Sequence, residues 1–318
     1  MNEIIIDDEP KVSRYASSDG HATEAPKECF DRHEDCDLFV SHGECIKNPG
    51  WMIINCPVGC KACHLRDSKI RCPRKALNIS EESVLKPGTL NQIFQRIIQL
   101  SNENQIGKIN VLSNDPWIIE FENFITPLEA KSIITAVHDW EKSTDTGEMN
   151  EYGEQGRILS TGRTSTNAWC RDDCESKPNV QRVLKRIEFV TTVPIDNYES
   201  FQVLKYDIGQ YYRAHHDTGA DEDNLACGMR ILTFFLYLSD VEIGGETSFP
   251  LLNLSVKPKL GKAVLWPGVY SDNPSVVDYR TRHEAKPVIK GIKYGANSWI
   301  HSHNFKIPNL WGCTGSFD

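Results

Sequence analysis

The densest concentration of reactive side chains lies in the stretch YDIGQYYRAHHDTGADED, which runs from Tyr206 to Asp223. His215 and Asp217 are two positions apart, and on a β-strand such residues point to the same face. A histidine and a carboxylate aimed into one cavity supply two of the three ligands of the 2-His-1-carboxylate arrangement, which suits non-haem Fe(II). His216 lies between them, points the other way, and is expected to be a surface residue. The pattern predicts a metal centre whose third ligand comes from a distant strand.

Three later histidines compete for the third ligand position: His283, His301 and His303. We favour His283 because Lys293 follows it ten residues later. A cation on a neighbouring strand that faces the same cavity is what the far end of a dicarboxylate cosubstrate would need. His303 is expected to be an ordinary surface residue. A His-x-Asp motif occurs by chance in many proteins, so the joint pattern carries the prediction of a metal site.

The elements that must position these residues form two groups along the chain. Three helices are predicted first: one in GTLNQIFQRIIQLSNEN, one that begins with the capping box of Thr126, Pro127 and Glu129, and one from Asn179 to Thr191. After Pro194 come β-rich runs bounded by turn residues. These runs are ESFQVLKY, MRILTFFLYLSD, GKAVLWPG, AKPVIKG and KYGANSWIHSHNF. Helices followed by short strands indicate helices packed against an antiparallel sandwich or barrel.

Composition and charge exclude several partners. The 318 residues carry a formal net charge of −9, whereas nucleic acids and anionic membranes attract basic proteins. The longest good apolar run, ILTFFLYL, has the length of a buried strand and is far shorter than the ~18 residues of a membrane span. We therefore expect neither a nucleic-acid partner nor a membrane span.

Six of the eleven cysteines fall between Cys29 and Cys63, with the spacing C-x6-C-x8-C-x10-C-x3-C-x2-C. This segment has too few apolar residues to fold without cross-links. Zinc is an alternative, but zinc ligands usually come in closely spaced pairs, and the first three cysteines are too far apart. Disulfides are favoured, and the spacing alone allows fifteen pairings.

The remaining cysteines are harder to interpret. Cys170 and Cys174 are predicted to form a local disulfide that shapes a substrate loop, or else to be a free pair, and the sequence assigns no partner to Cys72, Cys227 or Cys313. Such cysteine density is typical of an oxidising compartment, so we expect the secretory pathway and the lumen of the endoplasmic reticulum. No signal peptide is visible in this sequence, and we expect that the leader is not part of it. The alternative is a cytosolic protein with zinc-bound or free thiols.

Two parts of the chain resemble known families. The six-cysteine spacing resembles the ShK-toxin-like domain, and this resemblance implies the pairs Cys29–Cys63, Cys36–Cys56 and Cys45–Cys60. Residues from about 123 to 305 resemble the catalytic domain of prolyl 4-hydroxylases, which are Fe(II)/2-oxoglutarate dioxygenases. The matching pieces are GRTSTNAW, ESFQVLKYDIGQYYRAHHD, RILTFFLYLSDVEIGGETSFP and HEAKPVIKGIKYGANSWIH, in that order.

The second resemblance implies an α+β fold with a double-stranded β-helix (jelly-roll) core and flanking helices, preceded by the small disulfide-rich domain. We expect a disordered lead-in at 1–28, the ShK-like domain at 29–63, a linker and helix at 64–115, and the oxygenase domain at 116–318. The ShK-like domain is expected to help hold or localise the substrate.

The resemblance also implies roles for individual residues. The iron ligands would be His215, Asp217 and His283. The residues at the 2-oxoglutarate pocket would be Lys293, on the distal carboxylate, together with Tyr206, Thr247 and Trp299. The residues linked to the peptide or to catalysis would be Tyr212, Arg230 and His301, and further matches to family motif positions are Arg163, Ser165 and Glu199.

The implied activity is hydroxylation of peptidyl proline at C4 with O2 and 2-oxoglutarate, which gives 4-hydroxyproline, succinate and CO2. The implied cofactors are Fe(II) and L-ascorbate. The substrate would be a proline-containing protein, either collagen-like or hydroxyproline-rich, and a monomer is expected, although a partner subunit stays open. Two other interpretations are a 2-oxoglutarate oxygenase that acts on lysine or a free amino acid, and a catalytically silent binding protein.

Overall fold

The computed structural model describes residues 29–149 and 155–314. The expected lead-in at 1–28 lies outside these ranges. The helices are α1 Cys36–Ser41, α2 Glu44–Lys47, α3 Pro49–Asn55, α4 Ser68–Arg71, α5 Thr89–Asn102, α6 Pro127–Ala136, α7 Pro178–Thr191 and α8 Lys306–Leu310. The strands are β1 Ile109–Asn114, β2 Trp117–Phe121, β3 Glu141–Lys142, β4 Thr144–Met149, β5 Gln155–Leu159, β6 Thr166–Cys170, β7 Phe201–Tyr206, β8 Tyr212–His215, β9 Arg230–Tyr237, β10 Ile243–Gly244, β11 Thr247–Phe249, β12 Leu254–Val256, β13 Ala263–Pro267, β14 His283–Ala285, β15 Val288–Lys290 and β16 Lys293–His301.

Two antiparallel sheets carry the site. The large sheet has eight strands in the order β1-β2-β13-β9-β16-β7-β6-β3, and the small sheet has four in the order β12-β11-β14-β8. Neighbours in these sheets are mostly far apart in sequence, as in a jelly roll. His283 on β14 pairs with His215 on β8, so two histidines of the predicted metal centre lie side by side.

Helices cover one face of the large sheet. The apolar stripe of α5 (Leu90, Ile93, Phe94, Ile97) and that of α7 (Val180, Val183, Leu184, Ile187) are buried in one core with alternate residues of the central strands, including Phe234 and Leu236 on β9. Helix α6 begins with the predicted capping box, in which Thr126 and Glu129 satisfy each other's backbone N–H groups.

The opposite face of the large sheet packs on the small sheet. Phe235 and Tyr237 alternate with Phe234 and Leu236 along β9, and they join a second core with Phe249 of β11. Because successive side chains on a strand point to opposite faces, β9 contributes to both layers and is buried along almost its whole length. The site lies in the second layer, between the two sheets.

The ShK-like segment is a small unit of three short helices with its own core around Cys36, Met52 and Cys56. Its disulfides join Cys29 to Cys63, Cys36 to Cys56 and Cys45 to Cys60, which are the pairs that the resemblance implies. A further disulfide joins Cys72 to Cys313.

The predicted fold class is confirmed: an α+β structure with a jelly-roll core, flanking helices and a disulfide-rich N-terminal unit. The three predicted helices and the five β-rich runs contain helices and strands of those types. The expected order, helices first and strands later, is wrong. Strands β1 to β6 precede Pro194, and β1 already lies within the segment expected to be a linker and helix.

Candidate active site

Three metal-ligand side chains meet at one end of the small sheet. A nitrogen of His215, a nitrogen of His283 and a carboxylate oxygen of Asp217 all lie within 4.8 Å of one another. Nε2 of His215 is 3.7 Å from Oδ1 of Asp217, and Nε2 of His283 is 3.4 Å from Oδ2. The three donors converge closely enough for a single ion to contact all of them, and two imidazoles with one carboxylate form the facial set that Fe(II) oxygenases use.

Backbone and side-chain hydrogen bonds fix the orientation of these donors. Nδ1 of His215 lies 2.9 Å from the carbonyl oxygen of Arg213, and Nδ1 of His283 lies 3.1 Å from that of Thr281. A carbonyl oxygen only accepts, so each Nδ1 carries the proton and each Nε2 keeps its lone pair for a metal. The Thr233 hydroxyl donates to Oδ2 of Asp217 at 2.7 Å.

Electrostatics hold His283 and Asp217 in their ligand forms. Burial lowers the pKa of His283 to about 4, although Asp217 acts in the opposite direction, so the imidazole is neutral at pH 7. Burial on its own would raise the pKa of Asp217, but His283 and His215 hold it below its usual range, and the carboxylate is ionised. Neutral imidazole and ionised carboxylate are the forms that bind metals.

A pocket beside the triad contains a buried lysine. Lys293 is 1% exposed, and its Nζ has no hydrogen-bond partner among the residues that the structure describes. The rings of Tyr206, Phe235 and Tyr237 surround Nζ with centroids 5.3 to 5.6 Å away. Burial lowers the pKa of Lys293 to about 7, and Glu246 opposes this only in part. A buried, unpaired cation is costly unless an anion joins it, so the pocket fits a carboxylate.

The predicted companions of Lys293 line the same pocket. Tyr206 and Thr247 both contribute to its wall, together with Lys293 and the two histidines of the triad. The Thr247 hydroxyl accepts a hydrogen bond from Tyr237 at 2.7 Å, and the Tyr206 hydroxyl bonds to the buried Ser165. Both hydroxyls are therefore held in place before any ligand binds.

A second group of charged residues borders the triad. Glu199 lies between Arg230 and His301: Arg230 Nε donates to Oε1 at 2.5 Å, and His301 Nε2 lies 2.8 Å from the same oxygen. Nδ1 of His301 also faces an acceptor, the carbonyl oxygen of Gly228 at 2.8 Å. Both ring nitrogens must donate, so His301 is an imidazolium.

The pKa values of this group agree with that charge state. Burial on its own would raise the pKa of Glu199, but Arg230 and His301 lower it to about 2. Burial would likewise lower the pKa of His301, but Cys227 and Glu199 raise it to about 10. Arg230 lies over the Trp299 ring, 4.2 Å from its centroid, and donates from Nη1 to the carbonyl oxygen of Asp217 at 3.0 Å. The group is thereby tied to the triad.

The triad opens into a cavity of about 830 Å³. Its walls include Tyr212, Arg230, Trp299 and Glu199 together with His215 and Asp217. The Tyr212 ring stacks on His215 at 3.6 Å between centroids, and the Arg163 guanidinium carbon lies 5.0 Å from the Tyr212 centroid. The cavity is large enough to take several residues of an extended peptide.

Comparison with known proteins matches these features to families. The 2OG-Fe(II) oxygenase superfamily model matches residues 201–301, and the ShK domain-like model matches residues 28–63. The chain is 32% identical over 246 residues to probable prolyl 4-hydroxylase 10 of Arabidopsis thaliana, covering 70% of this chain and 82% of that protein. This chain belongs to the prolyl 4-hydroxylase family. It is thus an Fe(II)/2-oxoglutarate dioxygenase of the prolyl hydroxylase type.

Other relatives show how far the likeness extends. The chain is 34% identical over 201 residues to prolyl 4-hydroxylase subunit alpha-1 of Rattus norvegicus, covering 61% of this chain and 36% of that subunit. Among solved structures, the 2OG complex of a viral collagen prolyl hydroxylase from Paramecium Bursaria Chlorella virus-1 matches with a TM-score of 0.46 and 25% identity. That match covers 60% of this chain and 99% of the viral one.

The structure differs from two sequence predictions on the histidines and the aspartate. Strand β8 ends at His215, so Asp217 lies just beyond the strand and not on it, held there by Thr233 and Arg230. The prediction that His303 is a surface residue is wrong, because it is only 7% exposed and its ring contacts Ser302 and the carbonyl oxygen of Glu81. His216 does point away from the triad, towards Asp278 and Thr281.

Trp299 lies away from the lysine pocket and lines the larger cavity, with its indole N–H buried and unpaired among the described residues. Sequence reasoning missed Thr233 and Tyr237, which orient Asp217 and Thr247. No sequence signal distinguishes these two residues, because threonine and tyrosine are common in strands. Cys170 and Cys174 form the local disulfide, and Cys227 is a buried free thiol.

Proposed function

We propose that this chain hydroxylates C4 of proline residues in peptides, consuming O2 and 2-oxoglutarate and releasing succinate and CO2. The observation that carries the proposal is the pairing of two features in one pocket. His215 and His283 of the 2-His-1-carboxylate cluster line this pocket, and so does the buried Lys293, whose Nζ has no hydrogen-bond partner among the described residues. A dicarboxylate that reaches a metal at one end needs a cation at the other.

His215, Asp217 and His283 would hold Fe(II), with Nε2 of each imidazole as the donor atom. When bound, Fe(II) with 2-oxoglutarate and O2 supplies the oxidising chemistry that converts a C–H bond of proline to C–OH. Lys293 would bind the distal carboxylate of 2-oxoglutarate, with hydrogen bonds from the hydroxyls of Tyr206 and Thr247. The aromatic walls exclude water there, which strengthens each of these contacts.

The peptide would lie in the larger cavity against Tyr212, Arg230 and Trp299. Glu199 holds Arg230, and His301 in turn holds Glu199. The position of the Arg230 side chain therefore does not depend on the substrate. Pre-organised side chains of this kind lose little conformational entropy when the peptide binds, and they position the target carbon. His301 therefore acts through Glu199 and Arg230 in holding the peptide.

The test is peptide-dependent succinate release from 2-oxoglutarate, measured with Fe(II) and ascorbate over a panel of proline-rich peptides. Mass analysis locates any oxygen gained. We expect turnover that depends on the peptide and a gain of one oxygen on proline. Oxygen on lysine, or no turnover in protein shown to bind iron, would refute the proposed acceptor.

Several properties complete the proposal. Ascorbate would sustain turnover by returning iron to the ferrous state. The five disulfides fit an oxidising compartment, and we propose the lumen of the endoplasmic reticulum. We also propose a monomer that acts on collagen-like or hydroxyproline-rich proteins. No helix in residues 29–149 and 155–314 has the length and apolarity of a membrane span.

A further inference from the structure

The far wall of the large cavity carries an arginine that the active-site group does not use. Strand β6 alternates between the core and the cavity: Ala168 and Cys170 are buried in the helix-side core, whereas Asn167 and Trp169 line the cavity, as does Arg171 just after the strand ends. The Arg171 guanidinium lies over the Trp169 ring, 5.1 Å from its centroid. A cation stacked on tryptophan keeps most of its donors free for a further partner.

Arg171 lacks the carboxylate that a half-buried arginine usually has. Among the side chains that the structure describes, none brings a carboxylate oxygen within ion-pair distance of its guanidinium. Burial and the nearby Arg157 lower the pKa of Arg171, and the attraction of Asp172 and Glu199 does not make up for them. Asp172 and Asp173 also line the cavity but are exposed, so water screens them. An anion that enters the cavity would therefore find an unpaired cation.

A disulfide holds Arg171 in this position. Cys170 and Cys174 are joined, both are buried, and the turn between them passes through Asp172 with a φ of 46°. The bridge fixes the turn to the core at both ends, so the Arg171 backbone cannot swing away from the cavity. A fixed cation discriminates between ligands better than one on a mobile loop, because it loses less entropy on binding.

Arg171 is connected to the triad by a continuous row of side chains. Trp169 contacts Trp299 with centroids 6.2 Å apart, Arg230 covers Trp299, and Arg230 donates to the backbone of Asp217. Three strand spacings of about 4.8 Å separate β6 from β9, and Thr233 of β9 contacts Asp217, so Trp169 lies on the order of 15 Å from the triad. A polyproline II chain rises about 3.1 Å per residue, so this row is the length of about five residues. The reach of the arginine and of an acidic peptide side chain shortens the required spacing to about three to five positions.

From this geometry we propose that Arg171, stacked on Trp169, binds a carboxylate side chain of the peptide substrate about three to five positions from the target proline. The proposal rests on the proposed function and adds a substrate preference to it: acidic proline-rich sequences over neutral or basic ones. Arg171 is thus a specificity-determining residue of the cavity wall.

The test is a charge exchange between enzyme and peptide. The peptides are short and proline-rich, and each carries Glu, Gln or Lys at a single position. Across the series this position lies one, two or more residues from the target proline, on its N-terminal or its C-terminal side. For the unaltered protein, kcat/KM should favour Glu over Gln by about tenfold at one position in the three-to-five range and not elsewhere. Arg171→Glu should favour Lys at that position. The matched control Lys185→Glu, an exposed change of the same charge on α7, should keep the preference for Glu.

Equilibrium binding of the same peptides separates this proposal from the proposed function. If no peptide is turned over but binding still prefers Glu and Arg171→Glu reverses it, the acidic subsite stands and the proposed function falls. If peptides are hydroxylated with no charge preference, or if Arg171→Glu keeps the preference for Glu, the subsite is refuted. Arg171→Gln gives a second check: its binding should lose the preference, with 2-oxoglutarate affinity unchanged.

Discussion

Replacement of Lys293 by methionine should change stability and ligand affinity in opposite directions. Methionine fills most of the lysine's volume and removes its charge. The folded pKa of Lys293 is about 7, against an ordinary 10.5, which corresponds to up to about 4 kcal/mol of desolvation cost at pH 7. Without 2-oxoglutarate, Lys293→Met should therefore be more stable than the unaltered protein, by an amount of that order.

The stability difference should depend on pH. Between pH 7 and about 10.5 an unfolded lysine still binds a proton that the folded Lys293 has lost. The unfolded state then binds more protons, so stability of the unaltered apoprotein rises with pH across this window. Lys293→Met lacks this contribution, and its stability advantage should shrink as the pH rises from 7 towards 10.

Affinity for 2-oxoglutarate should fall in the same variant. Removal of one partner of a buried charge pair costs about 3 kcal/mol, which corresponds to roughly 100-fold weaker binding. Urea unfolding of the apoprotein at several pH values and titration with 2-oxoglutarate measure the two effects separately. The control is Lys290→Met, because Lys290 is exposed and pairs with Glu242 on the surface, where an ion pair contributes little.

Two results would refute the reasoning. Unchanged 2-oxoglutarate affinity in Lys293→Met would mean that another residue binds the distal carboxylate. A loss of apoprotein stability at pH 7, like that of an ordinary core substitution, would mean that Lys293 is not an unpaired buried cation. Only stabilisation together with weaker binding agrees with the pocket described above.

Three further predictions concern the triad, the thiols and the charged group. His283→Ala should abolish iron binding and succinate release, whereas His216→Ala should keep most of both; the reverse result would overturn the ligand assignment. Alkylation of the unfolded, unreduced protein should label one cysteine, Cys227, because the other ten are in disulfides, and more than one label would contradict the pairing. The raised pKa of His301, about 10 against 6.5, gives stability that is lost as the pH rises from about 6.5 to 10. In urea unfolding, the free energy of unfolding of His301→Asn should fall less over this pH range than that of the unaltered protein.

Sequence reasoning brought together the residues whose chemistry is rare and whose spacing is regular. His215, Asp217 and His283 are unusual residue types for strand ends, and Lys293 is an unusual residue type for a buried strand. Thr233 could not be found in the same way, since a threonine in RILTFFLY is indistinguishable from a strand former. The end of β8 at His215 was equally hidden, because the contacts that pull Asp217 off the strand come from β9.

Long-range contacts account for the other differences. Cys72 and Cys313 are 241 positions apart, and no local pattern marks them as partners. His303 follows the last strand with a polar flank, which favours exposure, but residues 81–84 cover it: the Val84 N–H donates to the Ser302 carbonyl oxygen at 2.9 Å. The disulfide and the burial of His303 have the same cause: the segment before α5 packs against the C-terminal part of the chain.

That segment is a structural part of the oxygenase domain. Arg74 donates to the carbonyl oxygens of Leu225 and Ala226 at 3.1 and 2.9 Å, just before the strand that begins with Arg230. The Val84 and Cys72 contacts hold the stretch that follows His301. Residues 72–88 therefore support both chain segments that carry Arg230 and His301.

A close backbone contact fixes the position of the ShK-like domain. A Cβ on Gly50 would lie 2.9 Å from backbone atoms of Leu310 and Gly312, so the domain packs on the C-terminal helix without room for a side chain. Helix α5 and strand β1 contribute to the oxygenase core and its large sheet. We propose that the cooperative oxygenase unit begins near Cys72. A protein shortened to residues 116–318 would lose a helix, an edge strand and the disulfide to Cys313, and with them the support behind Arg230 and His301.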